Sequence, residues 1–485
     1  MGTRGAGNSF SLSEWTGIAA VTLLCAIGFM DMIDAVIVNV AMPAIQHRFG
    51  LPQQSLQWVV SGYLLTYGGG MLLGGRAADL VGRRPVLVVG VTVFAAASLI
   101  GGLAPTPGVL IGARVVQGAG AAAMMPAALS LVMTSFGTDR VRAVGIWSGT
   151  LGLATTAGVL LGGVLTEVFG WRSVLLINPI VCVVILAGVF RLLPDDRRRA
   201  TWRTVDVAGA VSSTGGLGLL IWAVVEAPHA GWGALSTVVR LAGAAVLLVV
   251  FVWNERRCER RGGKPLVPLS IVRVRGLVAA NATQAVAIGG LYGMFFFVTL
   301  YMQNVLGYSA LQTGLAYLPA TSGVVLGAGV ATKFLIPWAG TLPVIVGGLV
   351  VAAGGVWWLS LLPVHGSYPS DILPGLLGFS LGLGLVFVAV MNAATAEVTP
   401  ERSGLASALV QISTQVGGAI GIAVLIAFAA AHTTGLLAAG VPVSGALTGG
   451  FRLALRVSSI AVLVAAVLGL RTVNTRDTTS GMMGG

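Results

Sequence analysis

Phe29-Met30-Asp31-Met32-Ile33-Asp34-Ala35-Val36-Ile37-Val38-Asn39-Val40-Ala41-Met42-Pro43 is the stretch on which the reading of this chain turns. It belongs to a strongly apolar segment from roughly Trp15 to Met42 and carries two carboxylates three residues apart, hence on one helical face. A carboxylate in hydrocarbon costs roughly 2.5–3.5 kcal/mol on insertion scales. Anchoring a neighbouring arginine explains either aspartate singly but explains the pair poorly. The two together point to a membrane protein that handles protons or cations at this turn.

Composition agrees. Of 485 residues, 56% are hydrophobic and only 9% charged, where a soluble domain carries about 25% charge. Mean hydropathy is +0.93. The 70 glycines allow helices to approach closely within a membrane bundle. A net charge of +12 would suggest nucleic acid in a soluble protein; here it reads as basic loops held on the cytoplasmic side, and no nucleic-acid partner is expected. Cys25 and Cys182 lie in apolar segments and Cys258 in a basic loop, so neither a disulfide nor a metal framework follows. The polar N-terminal residues run into a span too long for a signal-peptide core, so that span is expected to be retained.

Apolar runs of near-membrane length, the first at roughly 16–42, predict about fourteen transmembrane helices. Most of the 28 lysines and arginines fall in every second connection when the N-terminus is placed inside, which predicts cytoplasmic N- and C-termini in a multi-pass cell-membrane protein. Two long basic connections isolate the seventh and eighth spans. The expected organisation is residues 1–193 as a six-helix bundle, 194–275 as basic loops with two inserted helices, 276–471 as a second six-helix bundle, and 472–485 as a short tail. The Asp195–Arg199 run reads as a solvated face without chemistry.

Gly75-Arg76-Ala77-Ala78-Asp79-Leu80-Val81-Gly82-Arg83-Arg84 combines an acid, an Arg pair and two glycines in one loop. Asp79 is placed to approach a neighbouring helix N-terminus, and Gly75, Asp79, Gly82, Arg83 and Arg84 together read as a latch that forms in one conformation. Arg114 stands alone among basic residues deep in a span and shares a face with Gln117; Asp31 or Asp34 is the simplest partner, and such pairing neutralises the charge. Gly158, Gly162 and Gly163 form a small-residue face for close helix contact.

The Gly75–Arg84 loop resembles the signature loop of the major facilitator superfamily. Leu110-x-x-x-Arg114-x-x-Gln117-Gly118-x-Gly120-Ala121-Ala122 resembles its fourth-helix motif. Asp34 through Asn39-Val40-Ala41-Met42-Pro43, with Val36 where a Thr is usual, resembles the first-helix motif of the fourteen-helix drug/proton antiporter family. Trp171–Pro179, Tyr301–Ser309 and Gly404–Ser407 extend that likeness over nearly the whole chain. The run Gly158–Gly163 resembles the family's fifth-helix motif with Val159 in place of proline. The resemblance implies an all-α major facilitator fold of two six-helix bundles plus two extra helices, alternating access, and proton-driven export of hydrophobic, often cationic, drugs or antibiotics.

Proton coupling is expected to rest on Asp31, Asp34 and Arg114. No further acid is found within spans 2, 10 or 13, and the connection near Lys333–Pro343 lacks the Asp/Gly/Arg latch, which predicts asymmetric halves. Tyr63, Tyr67, Gln117, Asn281, Gln284, Tyr292, Phe295 and Gln411 are the expected substrate-binding residues; each stripe alone also reads as interhelical contact. Expected partners are a small lipophilic substrate, protons and membrane lipids, with a monomeric chain and no cofactor. A proton symporter for a small metabolite and a lipid flippase are the alternatives. No nucleophile constellation, metal cluster or Walker-type loop is found, so an enzyme is not expected.

Overall fold

The computed structural model describes residues 14–135, 140–196, 207–261, 274–396 and 403–475. The basic run Arg197–Arg199, the connection carrying Lys264 and Arg273, and the end of the tail lie outside the described residues, as does the side chain of Asp79.

Among the described residues fourteen long helical rods form the structure. They are α1 (Glu14–Phe49), α2 (Trp58–Val81), α3 (Arg83–Gly102), α4 (Pro107–Ser135), α5 (Arg140–Phe169), α6 (Arg172–Leu192), α7 (Val207–Ala230) and α8 (Leu235–Arg260). The series continues with α9 (Arg275–Leu300), α10 (Ala310–Ala339), α11 (Thr341–Leu359), α12 (Leu373–Ala396), α13 (Ser403–Ala438) and α14 (Val443–Gly469). Eleven of these regions are long and apolar enough to span a bilayer by composition alone. Such rods satisfy every backbone group internally, as a membrane interior demands.

Helix α1 runs past the expected stop at Met42, through Pro43, to Phe49. Proline removes the amide that would reach the Asn39 carbonyl, a loss tolerated inside a helix bundle; beside it the Gln303 side chain, beyond the end of α9, donates to the Val40 carbonyl at 3.2 Å.

Helices α1 to α6 pack on one another, and α9 to α14 do likewise. Two seams join the groups: α2 against α13, and α5 against the start of α10. Both depend on glycine. A Cβ at Gly68 would stand 2.8 Å from the Gln415 Cβ, and one at Gly163 would stand 2.9 Å from the Ala310 carbonyl oxygen. Gly158 and Gly162 turn instead to α1, meeting Ile33, Val36, Ile37 and Val40.

Helix α7 lies over the α2–α13 seam, where Thr214 donates to the Gly69 carbonyl at 2.8 Å. Helix α8 packs on α7 and turns Val238, Val239, Val246, Val249 and Trp253 outward.

The second half has its own closest approach, between α9 and α13. A Cβ at Gly417 would fall 2.6 Å from the Ala285 Cα, and one at Gly289 would fall 2.8 Å from the Gly417 carbonyl oxygen. These backbones touch, so a side chain must push the helices apart. We expect Gly417→Leu to lower stability by about 3 kcal/mol or more. Gly354→Leu, where nothing stands within 4 Å of the added Cβ, should be close to neutral. Thermal unfolding of the purified protein in detergent, followed by tryptophan fluorescence, measures both.

Candidate functional site

The two aspartates of α1 are both buried, yet they have different surroundings. Asp34 faces α4 and α6. Arg114 Nη1 donates to its Oδ2 at 2.6 Å, while Gln117 Nε2 and Asn178 Nδ2 donate to Oδ1 at 2.9 and 2.6 Å. Each partner is itself fixed. Arg114 also donates to the Gln117 Oε1 at 2.8 Å and to the Val59 carbonyl at 3.1 Å. Ser98 Oγ accepts from Gln117 and Asn178 and donates to the Leu175 carbonyl at 2.8 Å. Side chains from α1, α3, α4 and α6 thus converge on one carboxylate, with a carbonyl of α2 completing the guanidinium's shell. A buried charge needs this: paired and hydrogen-bonded it is tolerated, unpaired it is not.

Asp31 has no such counter-ion in contact. Its donors are two phenols of α2, Tyr63 to Oδ1 at 2.6 Å and Tyr67 to Oδ2 at 3.1 Å. The two rings are tilted against each other at 5.6 Å. The spacing of four residues along α2 presents both hydroxyls to the same carboxylate. Arg114 links the two acids, since its guanidinium lies 4.3 Å above the Tyr63 ring while its Nη1 holds Asp34. Tyr292 of α9 lies close enough to act electrostatically on Asp31 and Tyr67, and its ring rests on Gly418 of α13.

The structure therefore gathers Asp31, Asp34, Arg114, Gln117, Tyr63, Tyr67 and Tyr292. It does not bring the remaining expected ligand residues to this cluster. Asn281 accepts from Ser413 at 2.8 Å and Gln284 donates to Thr414 at 3.0 Å, so both tie α9 to α13. Phe295 packs on Tyr317 and Phe379. Gln411 is half-buried on α13. The cluster itself is closed to solvent. Two cavities among the described residues, of about 550 and 520 Å³, lie elsewhere, one lined by Arg84, Phe190 and Asp195, the other by Gln46, His47, Asn304 and Thr433 at the opposite end of the bundle.

Of the Gly75–Arg84 stretch, Gly75 to Val81 is the last part of α2, and the Asp79 side chain on which the expected latch turns lies outside the described residues. Among the described side chains, the carboxylate at the N-terminus of α3 is Asp196, whose Oδ2 and Oδ1 accept from the backbone amides of Arg83 at 2.8 Å and Arg84 at 2.9 Å. Asp196 was expected on a solvated run without a role; instead the chain after α6 folds back, because orphan amides at a helix start favour a negative charge. Gly82, at φ 117°, permits the abrupt turn, and a Cβ there would meet Asp196. Arg84 donates to the Phe190 carbonyl at 3.3 Å.

The second half repeats this cap in neutral form. Gly340, at φ 91°, precedes α11, and Asn474, beyond α14, accepts from the Leu342 amide at 3.2 Å. The halves thus share the placement of the cap but differ in its charge and in the number of amides it takes.

At the Gly170 end of the bundle the halves are tied together. Glu167 of α5 accepts from the Leu311 amide at the start of α10 at 2.8 Å, and Asn304 donates to Gln46 at 3.4 Å. Sequence reasoning missed Asn178, Ser98, Asp196 and Glu167. Asn178 alone left a signal, as an amide inside the sixth span.

Similarity to known proteins follows the same lines. A sequence profile of the Major Facilitator Superfamily matches residues 24–422. The chain is 38% identical over 433 residues to the puromycin resistance protein pur8 of Streptomyces alboniger, covering 88% of this chain and 84% of that one. It is 38% identical over 428 residues to the cephamycin export protein CmcT of Amycolatopsis lactamdurans, covering 87% and 86%. In three dimensions it matches a bacterial homologue of the human lysosomal transporter Spinster in an inward-facing, unoccupied conformation, with a TM-score of 0.64 at 18% identity over 95% of this chain and 97% of that one; at that identity the likeness is one of fold.

The Asp34–Arg114 pair makes a specific stability prediction. Asp34→Asn strands the guanidinium and Arg114→Gln strands the carboxylate, and each should cost about 3–5 kcal/mol. The double variant should cost less than the sum of the two, because it removes both charges. Chemical unfolding in detergent of the four proteins of this cycle measures the coupling.

Proposed function

The chain belongs to the Major Facilitator Superfamily, a family of transporters and not of enzymes, and on that premise we propose that it is a proton-coupled antiporter exporting lipophilic, cationic drugs or antibiotics by alternating access. The observation that carries this reading is the unequal neutralisation of two adjacent acids: Asp34 is ion-paired with Arg114, whereas Asp31 is held only by neutral hydroxyls.

Asp34 and Arg114 stay paired and brace α1 against α4 and α6. Asp31 is the exchanging group. Beside the α2–α13 seam it is neutral when it carries a proton and compensated when it faces a cationic substrate. Bare and charged, it has no counter-ion in contact, and closing the seam over it is disfavoured. Proton and substrate therefore take turns, and neither half-reaction proceeds with the site empty. That is the requirement for exchange.

The remaining residues fit around this core. Tyr63, Tyr67, Gln117 and Tyr292 shape the site from both halves. Asn281, Gln284, Phe295 and Gln411 join it as the seam opens. Gly158 and Gly162 allow α5 to shift along α1. Gly75, Asp79, Gly82, Arg83 and Arg84 form the latch at the far end of α2, with Asp196 as its anchor in the present conformation. With both termini cytoplasmic, the Gly82 end faces the cytoplasm, and the Glu167–Leu311 and Asn304–Gln46 contacts close the external face. The two halves are residues 1–193 and 276–471, and the chain acts as a monomer. The names of its relatives, a puromycin resistance protein and a cephamycin export protein, support export of antibiotics.

Everted membrane vesicles test the coupling. With an imposed proton gradient, vesicles carrying the wild type should accumulate ethidium, and Asp31→Asn should reduce this to the level of vesicles lacking the protein. Gradient-driven accumulation that survives unchanged in Asp31→Asn would contradict the assignment.

A further inference from the structure

Gln415 of α13 is 5% exposed, and its side-chain oxygen accepts no hydrogen bond. A buried amide oxygen left in this condition costs about 1–3 kcal/mol, and such an atom calls for a donor, from a water or from a ligand. Its place is definite. The Gln415 Cβ packs into the space left open by Gly68 of α2, and its amide meets the hydroxyl of Tyr67. That hydroxyl has one proton to give and gives it to Asp31. Tyr63 is likewise committed to Asp31, and Arg114, stacked on its ring, to Asp34 and Gln117. The neighbours of Gln415 on α13 are engaged as well, Thr414 with Gln284 and Ser413 with Asn281. Tyr292 is the remaining titratable group facing the cluster from α9.

We propose that Gln415 is a substrate-binding residue whose side-chain carbonyl accepts a hydrogen bond from an N–H group of the transported cation, so that this site takes lipophilic protonated amines in preference to quaternary cations. The proposal rests on the proposed function, in which Asp31 supplies the negative charge. Asp31 on α1 and Gln415 on α13 approach Tyr67 from the two sides of one seam. A cation admitted as the seam opens meets a carboxylate on one half and an unfilled neutral acceptor on the other. A quaternary ammonium satisfies the first by charge and leaves the second empty. A protonated amine satisfies both, and in doing so links the halves.

The test uses two probes that differ only in N–H groups, propranolol and its N,N-dimethyl quaternary analogue. Each is titrated by calorimetry against the full chain in lipid nanodiscs. The wild type should bind propranolol about tenfold or more tightly than the quaternary analogue, the discrimination expected of one hydrogen bond from a charged donor. Gln415→Met, which keeps the side chain's length against Gly68, should weaken propranolol by that factor and leave the quaternary analogue unchanged; Gln415→Leu should do the same.

Undiminished preference for propranolol in both variants overturns the proposal, as does equal weakening of both probes, which would mark Gln415 as structural. Failure of the wild type to bind propranolol also overturns it. Asp31→Asn, measured alongside, should weaken both cations together. If it weakens neither, the Asp31 assignment fails, while the ratio between probes still reports on Gln415.

Discussion

One guanidinium in a dry interior has to serve two carboxylates, and most of the site follows from how it does so. Arg114 cannot ion-pair closely with both members of a pair set one turn apart on α1. It takes Asp34 at 2.6 Å, and Gln117 and Asn178 saturate the other oxygen. The Arg114–Asp34 unit becomes a neutral, rigid fixture joining three helices. Asp31 is left with phenols, which hydrogen-bond a carboxylate without cancelling its charge. Burial tolerates such a group only when something mobile neutralises it. In the proposed function a proton and a cationic substrate fill that role in turn, and they compete because the demand is for one charge.

The fold sets this carboxylate beside the joint between the two halves. Asp31 reaches α2 through Tyr63 and Tyr67, and the next residue, Gly68, is where α2 meets α13 of the other half. Gly68 brings α2 close to α13, where the Gln415 Cβ fills the space it leaves. Helix α7 covers the same stretch and is fastened to Gly69 by Thr214, which places the inserted pair at the membrane-facing side of the seam. Rigid parts lie further out, where the Asp196 cap on α3 and the Asn474 cap on α11 bind the last segment of each half to its third helix.

How far the sequence could be read depended on distance along the chain. Asp31 with Asp34, Arg114 with Gln117, and Tyr63 with Tyr67 are each within one helical turn or so, and helical periodicity alone puts each pair on a common face. The membrane supplied the rest of the inference, since a lone buried arginine must find an acid. Which acid it finds was not legible, because Asp34 and Asp31 stand only about 60° apart around α1 and the choice is made by Asn178, 144 residues away. Asp196 was hidden for the same reason: it sits 112 residues from the amide of Arg84 that it caps, inside a run whose composition reads as solvated loop. Polar stripes on α9 and α13 were visible, but periodicity does not say whether Asn281 and Gln284 face a substrate or the next helix. The structure shows them bonded to Ser413 and Thr414.

The central claim is that a proton on Asp31 and a cation beside it exclude one another. Proton release on ligand binding tests it most directly. Purified protein in weakly buffered detergent is mixed with a lipophilic cation whose own protonation does not change, such as tetraphenylphosphonium, and the pH is followed. The account predicts that the wild type acidifies the solution as it binds, and that Asp31→Asn gives no acidification even at saturating cation. Acidification that persists in Asp31→Asn, or binding by the wild type with no proton released at any pH, would contradict it.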